Sequence, residues 1–109
     1  MTVTAVVLSR TEMQNGYFCS CAALATGKGW KQARLMQPQG NHLHLQAFNV
    51  SAENVDRLWQ PKRMIEIKKL LPTLARPTHP EDLHIEPESI TISGITLDNR
   101  TFRAIVRSL

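Results

Sequence analysis

Two pairs of residues in this chain have the types and spacing for metal or thiol chemistry: Cys19-x-Cys21 and His42-x-His44. Residues two apart on a strand point to one face, so each pair presents two potential ligands together. If the two segments were neighbours in register, their four donors would suit a tetrahedral zinc ion. Structural zinc sites, however, usually space their cysteines by two to four residues on a knuckle. Here a single residue separates them, among Tyr17, Phe18, Ala22, Ala23 and Leu24, where a cysteine acts as a small hydrophobe. Core packing is therefore the expectation for the cysteines, with a structural zinc site through Cys19, Cys21, His42 and His44 as an alternative. A disulfide between the two is disfavoured, because their Cα separation on a strand is at the limit of reach; free thiols are expected.

His79 lies beside two carboxylates in Thr78-His79-Pro80-Glu81-Asp82. Such a group can act as a general base when a nucleophile or a substrate cleft adjoins it. The patterns that supply those partners are missing: there is no Gly-x-Ser-x-Gly, no phosphate loop and no His-Glu-x-x-His. Glu81 or Asp82 is instead expected to accept from nearby backbone N–H groups and hold the segment in place. No catalysis and no cofactor are expected.

The remaining candidates are aromatic and basic. Trp30, Tyr17 and Phe18 can form the stacking platform that OB folds offer to single strands, with Lys28, Lys31 and Arg34 on the phosphates. Phe18, within an apolar run, is expected inside, so Lys28, Trp30, Lys31 and Arg34 are the expected nucleic-acid-binding residues. Trp59 is expected to lid one end of the core, and Lys62, Arg63, Lys68 and Lys69 to widen the electrostatic footprint. At about 100° per residue, Arg100, Arg103 and Arg107 gather on one side of a terminal helix. They either form its solvated side or face an acidic partner or a phosphate backbone.

The elements that must position these residues follow from hydrophobic period and turn chemistry. Residues 3–8, 17–25, 30–36, 42–48, 64–71 and 89–96 read as strands. Asn15-Gly16 is the strongest turn signal, since both residues tolerate positive φ. Residues 49–59 read either as a short helix capped by Ser51, with Val55 and Leu58 inward, or as an irregular loop. After the fifth strand come Pro72, Pro77 and Pro80, which predict an extended, non-helical wrap. Asp98 is a plausible N-cap for a helix whose inner stripe is Phe102, Ile105, Val106 and Leu109.

Several of these stretches resemble a known pattern. Val6-Val7-Leu8-Ser9-Arg10 is followed by Gly16-Tyr17-Phe18-Cys19, then by Gly29-Trp30 with Arg34-Leu35, and last by His79-Pro80-Glu81-Asp82. Together they are similar to the first half of the dual OB-containing domain family, bacterial proteins with two OB-like barrels in tandem. The resemblance covers residues 3–97, and its most specific part is the Pro-His-Pro-Glu-Asp region with the strand before it. In one respect the chain departs: the family places Arg almost directly after Trp, whereas Lys31-Gln32-Ala33 intervene here before Arg34. The resemblance implies an OB-like fold and nucleic-acid-related roles, and it supplies no catalytic residues. It also implies either a stand-alone barrel or one whose missing half comes from a partner or a second copy.

A length of 109 residues suits one domain, with a hydrophobic share of 42% that is ordinary for a soluble globular protein. No apolar run approaches the roughly 18–20 residues of a membrane span, and the N-terminus lacks a secretory pattern, so a cytoplasmic location away from membranes is expected. The net charge of +4 fits nucleic acid or acidic partners, and equally an ordinary solvated surface. The expected architecture is a single, all-β, mostly antiparallel OB-like barrel over residues 1–109 with a short C-terminal α-helix. The expected function is a non-catalytic module binding single-stranded nucleic acid with little sequence preference. The alternative is a protein-interaction module that self-associates or pairs with a second subunit.

Overall fold

The computed structural model describes residues 2–68 and 82–109, apart from the side chain of Gln39. The proline-rich segment up to residue 81, with His79 and Glu81, lies outside the described residues, as do Lys69 and the end of the expected fifth strand. In chain order the elements are β1 (Val3–Glu12), β2 (Tyr17–Thr26), β3 (Gly29–Met36), β4 (Leu43–His44), α1 (Ala52–Leu58), β5 (Arg63–Ile67), β6 (Asp82–His84), β7 (Ile90–Thr96) and α2 (Asn99–Ser108). Short 3-10 turns at Gln14–Gly16, Pro38–Gly40, Leu45–Ala47 and Pro87–Ser89 connect several of them.

The strands form one mixed sheet in the order β6-β3-β2-β1-β5-β7, with β4 paired to the start of β2. The β3–β6 pair is parallel; the other described pairs are antiparallel. Among the described residues the sheet is not closed, since β6 and β7 are its two ends. The mostly antiparallel, β-rich expectation therefore stands, while closure of the expected barrel is not seen.

β1 runs four residues past the expected end at Leu8. Its pairing to β2 shifts between Val7↔Ala22 and Ser9↔Cys21, so Leu8 is an extra residue in a β-bulge. The bulge changes which residues face the core. Before it, Ala5 and Val7 point into the main core, and Val6 points to the other face beneath α2. Beyond it, the Arg10 side chain turns inward and is only 5% exposed. Its guanidinium donates to the Asp56 and Trp59 carbonyl oxygens at 2.7 and 3.3 Å, pairs with the Asp56 carboxylate, and lies 5.1 Å from the Phe18 ring centre. One cation thereby ties the end of β1 to the end of α1.

The strand expected over residues 42–48 is reduced to two residues. The His44 imidazole accepts from Gln46 N–H at 3.1 Å, a side-chain cap that turns the chain into the 3-10 turn Leu45–Ala47. That turn delivers Leu45 and Phe48 to the same core, which strict alternation could not do. The ambiguous stretch after it is α1, with Ser51 Oγ accepting from Asn54 N–H at 3.2 Å and Val55 fully buried.

Trp59, at the C-terminal end of α1, is wholly buried rather than a lid. It packs against Phe18 and Phe48 at ring separations of 5.8 and 5.2 Å. Its indole Nε1–H donates to Ser20 Oγ at 2.9 Å, and Ser20 Oγ–H donates to the Ser9 carbonyl at 2.8 Å. On the opposite side of the sheet, Phe102 and Ile105 of α2 cover Val6, Ala23, Trp30 and Met64. Val106 and Leu109, placed inward by spacing, remain 45% and 43% exposed. The helix meets the sheet along a narrower stripe than its period allows.

Two outcomes are expected. Ser20→Ala leaves the buried indole N–H without an acceptor and should cost about 1–3 kcal/mol in urea unfolding; an unchanged midpoint would contradict the role given to this bond. Asp98 Oδ1 accepts from Thr101 N–H at 2.7 Å, and that hydrogen bond holds the carboxyl below its ordinary value. A depressed folded value means the cap contributes fully above the unfolded pKa and is lost as pH falls through the folded one. Asp98→Asn keeps an acceptor without that titration, so its α2 circular-dichroism signal should fall less between neutral and acidic pH than the parent's. Identical acid limbs would contradict it.

Candidate functional site

β3 begins at the tight turn after Thr26, whose hydroxyl donates to the Gly29 carbonyl at 2.7 Å and accepts from Lys28 N–H at 3.2 Å. This turn presents Lys28 to solvent. Alternation along β3 then separates the expected set. Trp30 and Arg34 lie on the outer face, whereas Lys31 shares the core-side face with Ala33 and Leu35 and is exposed only because it sits at the strand's start. Trp30 is half-buried, packed beside Phe102 and Ile105, and is not the open stacking surface expected for it. The physical reason is α2, whose apolar stripe needs a counterpart and finds this indole. Arg34, about 13 Å further along the strand, is held by Asp82 through two parallel hydrogen bonds, Nε–Oδ1 at 2.7 Å and Nη2–Oδ2 at 2.9 Å. The structure thus brings Lys28, Trp30 and Lys31 to one hairpin end and places Arg34 in a half-buried ion pair.

The exposed aromatic residue lies at the other end of β2, about 27 Å away along the strand. Tyr17 is 41% exposed, while Phe18 is 1% exposed and belongs to the core as expected. Asn15 (φ 61°) and Gly16 (φ 81°) make the sharp turn before it, as the sequence predicts. His44 meets the Tyr17 ring edge-on, with centroids 4.5 Å apart and planes at 82°. The imidazole is itself fixed, with Nε2–H donating to the Asn15 carbonyl at 2.8 Å and Nδ1 accepting from Gln46 N–H. Tyr17 is therefore an exposed ring braced by a neighbour whose two nitrogens are both engaged.

Beside this ring is an open cavity of about 420 Å³ lined by Met13, Gln14, Tyr17, Gly40, Asn41 and His42. Met13 is 46% exposed and offers a flexible apolar wall. His42 Nδ1 is buried with no hydrogen-bond partner among the described residues. Another hollow, of about 260 Å³, shares Met13 and Tyr17 in its lining and adjoins Arg10, Glu12 and Asp56. An exposed ring, an apolar wall and scattered amide and imidazole groups suit a planar heterocycle. Sequence reading had Tyr17 among its aromatic candidates; the contributions of Met13, Asn41 and His42 have no local signal, because the cavity forms where the first hairpin turn meets the exit of β3.

The zinc reading finds no support in this geometry; the thiols are free as expected, but they lie outside the core clusters in which they were expected to pack. Cys19 and Cys21 are free, half-buried and on the outer face of β2, with Cys21 opposite Arg34. Burial pushes the Cys19 thiol up from its ordinary value, Cys21 and Asp82 push the same way, and Arg34 opposes them. His44 is committed to Asn15 and Gln46. Among the described residues, no group of three or more His, Cys, Asp or Glu is placed to hold a metal ion, and no helix is long and apolar enough to cross a membrane.

No protein-family model matches the chain, and no curated protein matches it. Among solved structures it is similar to one described as the molecular basis for abrogation of activation of pro-inflammatory cytokines, at 16% identity and TM-score 0.44, over 99% of this chain and 48% of that one. A structure described as structural mimicry for functional antagonism gives 15% identity and TM-score 0.42, over 96% and 47%. A murine DNA-binding protein bound with ds DNA gives 17% and 0.38, over 96% and 50%. The chain spans about half the length of each. At TM-scores below 0.5 these likenesses carry no argument about fold or function.

Gly16 connects the turn to the braced ring. A Cβ there would sit 3.0 Å from His44 Nε2 on a backbone at φ +81°. Gly16→Ala should therefore lower stability by about 1–2 kcal/mol and shift the ring resonances of Tyr17, the one tyrosine of the chain. Unmoved tyrosine signals would contradict the bracing.

Proposed function

We propose that this chain is a non-catalytic, OB-like module that binds single-stranded nucleic acid with little sequence preference. A base stacks on Tyr17, and phosphates meet Lys28 and Lys31 at the far end of the same hairpin. The observation that carries the reading is the fixed, exposed Tyr17 ring beside an open cavity. Every nucleobase has a π-face, so such a ring gives affinity without choosing sequence.

The strand order supports the OB-like part. β1, β2 and β3 form a meander, α1 follows β3 and β4, β5 returns antiparallel to β1, and β6 runs parallel beside β3. OB-fold barrels bind oligonucleotides on the face of their second and third strands and on the adjoining loops. Tyr17 opens the second strand here, directly after the first loop. The resemblance to the dual OB-containing domain family belongs to the same proposal, with a second barrel supplied by a partner or a second copy.

A second reading, a module that pairs with another subunit, is favoured by Ile95, which is 58% exposed on β7 at one end of the sheet. A module of that kind would leave oligonucleotides unbound.

The test is fluorescence anisotropy of a labelled oligodeoxythymidylate of about 16 nucleotides, the upper end of what one OB fold covers. Binding should weaken with salt at a log–log slope of about 0.7 per neutralised phosphate. Tyr17→Ala should weaken it by about 1–3 kcal/mol, or about 5- to 150-fold. No binding at low salt, or full affinity in Tyr17→Ala, would refute the proposal.

A further inference from the structure

The helix α2 covers Trp30 and Ala23, so it lies across the outer face of the two strands that begin and end at the proposed site. A strand stacked on Tyr17 and running along β2 therefore meets α2 before it reaches the Trp30 end. What α2 turns to solvent is cationic. Arg100, Arg103 and Arg107 are all exposed, and within Asn99–Ser108 there is no Asp or Glu to offset them. None of the three has an ion-pair partner among the described residues. By contrast, α1 carries Glu53 and Asp56 against Arg57.

The placement of these arginines opposes the helix's own stability. Arg100 lies in the first turn, where the macrodipole disfavours a cation, and only Arg107 sits where the dipole welcomes one. Arg100 and Arg103 are three apart and Arg103 and Arg107 four apart, the spacings at which like charges repel on a helix surface. Asp98, just before the helix, is taken up by Thr101 N–H. Lys62 adds a further cation at the helix start, donating to Asn99 Oδ1 with its ammonium 6.0 Å from the Phe102 ring centre. The stripe spans about 10 Å, and guanidinium groups suit phosphate oxygens through paired hydrogen bonds.

We infer that the arginine stripe of α2 tracks the sugar–phosphate backbone of the same single strand whose base rests on Tyr17. This inference rests on the proposed function and moves the main phosphate contacts from the β2–β3 turn to the helix. Charge complementarity is the ground for choosing a phosphate backbone.

The experiment compares four proteins: the parent chain, Tyr17→Ala, the triple change Arg100→Gln, Arg103→Gln and Arg107→Gln, and the corresponding triple change to Lys. Each is titrated with the labelled oligodeoxythymidylate across salt, with circular dichroism confirming the fold. At about 0.7 per phosphate, losing three contacts should lower the slope by about 2 in the Gln protein, while the Lys protein keeps most of it. Tyr17→Ala should lose affinity at constant slope. Parent slope in the Gln protein, together with weakened Tyr17→Ala, overturns this inference and leaves the proposed function standing. A lowered slope in the Gln protein with Tyr17→Ala unaffected refutes the stacking on Tyr17 and overturns the inference as stated, leaving phosphate contact by the stripe alone. No binding by the parent overturns both. Polyglutamate displacing the oligonucleotide at equal charge concentration overturns the inference in favour of an acidic polypeptide.

Discussion

The hydrogen bond from Trp59 Nε1 to Ser20 Oγ is the constraint around which this fold is organised. A large indole can be wholly buried only if its N–H finds an acceptor. That acceptor must then come from the middle of β2, on the core face. Ser20 satisfies the requirement and donates its own hydroxyl hydrogen bond to the carbonyl of Ser9, the residue just after the bulge in β1. Three parts of the chain, the end of α1, the centre of β2 and the bent portion of β1, are locked by two consecutive bonds. Arg10 reinforces the same junction from its rim through Asp56 and the Trp59 carbonyl.

The bulge also connects packing to function. Without the extra residue at Leu8, Arg10 would point away from the core and β1 would lose its reason to continue to Glu12. Its continuation is what places the first turn, and hence Tyr17, at the far tip of a long hairpin. On the other face, Leu8 joins Val6 and Met64 in the surface that receives α2. One irregularity thus serves both the core beneath the sheet and the helix above it. An exposed ring and a row of cations end up on the same outer side.

How much of this was legible in the sequence depended on whether the signal was local. β2 and β3 were readable from hydrophobic period, and the Asn15-Gly16 turn from the two residues that tolerate positive φ. Ser51 and Asp98 were readable as caps for the same reason, since each acts on an N–H three residues on. The bulge was not, because one extra residue in a strand changes no composition. The run over residues 42–48 alternates like a strand, yet His44 capping Gln46 turns it aside, a side-chain bond that period cannot anticipate. β6 is too short and too polar to announce itself; it exists because Arg34 and Asp82 pair across it. For the candidate site, Trp30 was placed open because nothing in its neighbours reveals that a helix from the other end of the chain lies over it. Tyr17 was in view, but its brace, His44, and one wall of its cavity, Gly40 to His42, come from residues some 25 positions away.

The resulting picture is of a small sheet that leaves one stiff aromatic surface and one cationic helix uncovered, while Phe18, Phe48 and Trp59 are buried and Trp30 and Phe102 are half-buried. Amide shifts of isotopically labelled protein, followed during titration with an oligodeoxythymidylate, test this most directly. Binding should perturb two separated places, the turn from Met13 to Tyr17 with His44 and the stretch of α2 from Arg100 to Arg107, with Cys19 and Cys21 on the strand path between them also moving. Changes confined to α1 or β7, or none at all at low salt, would contradict it.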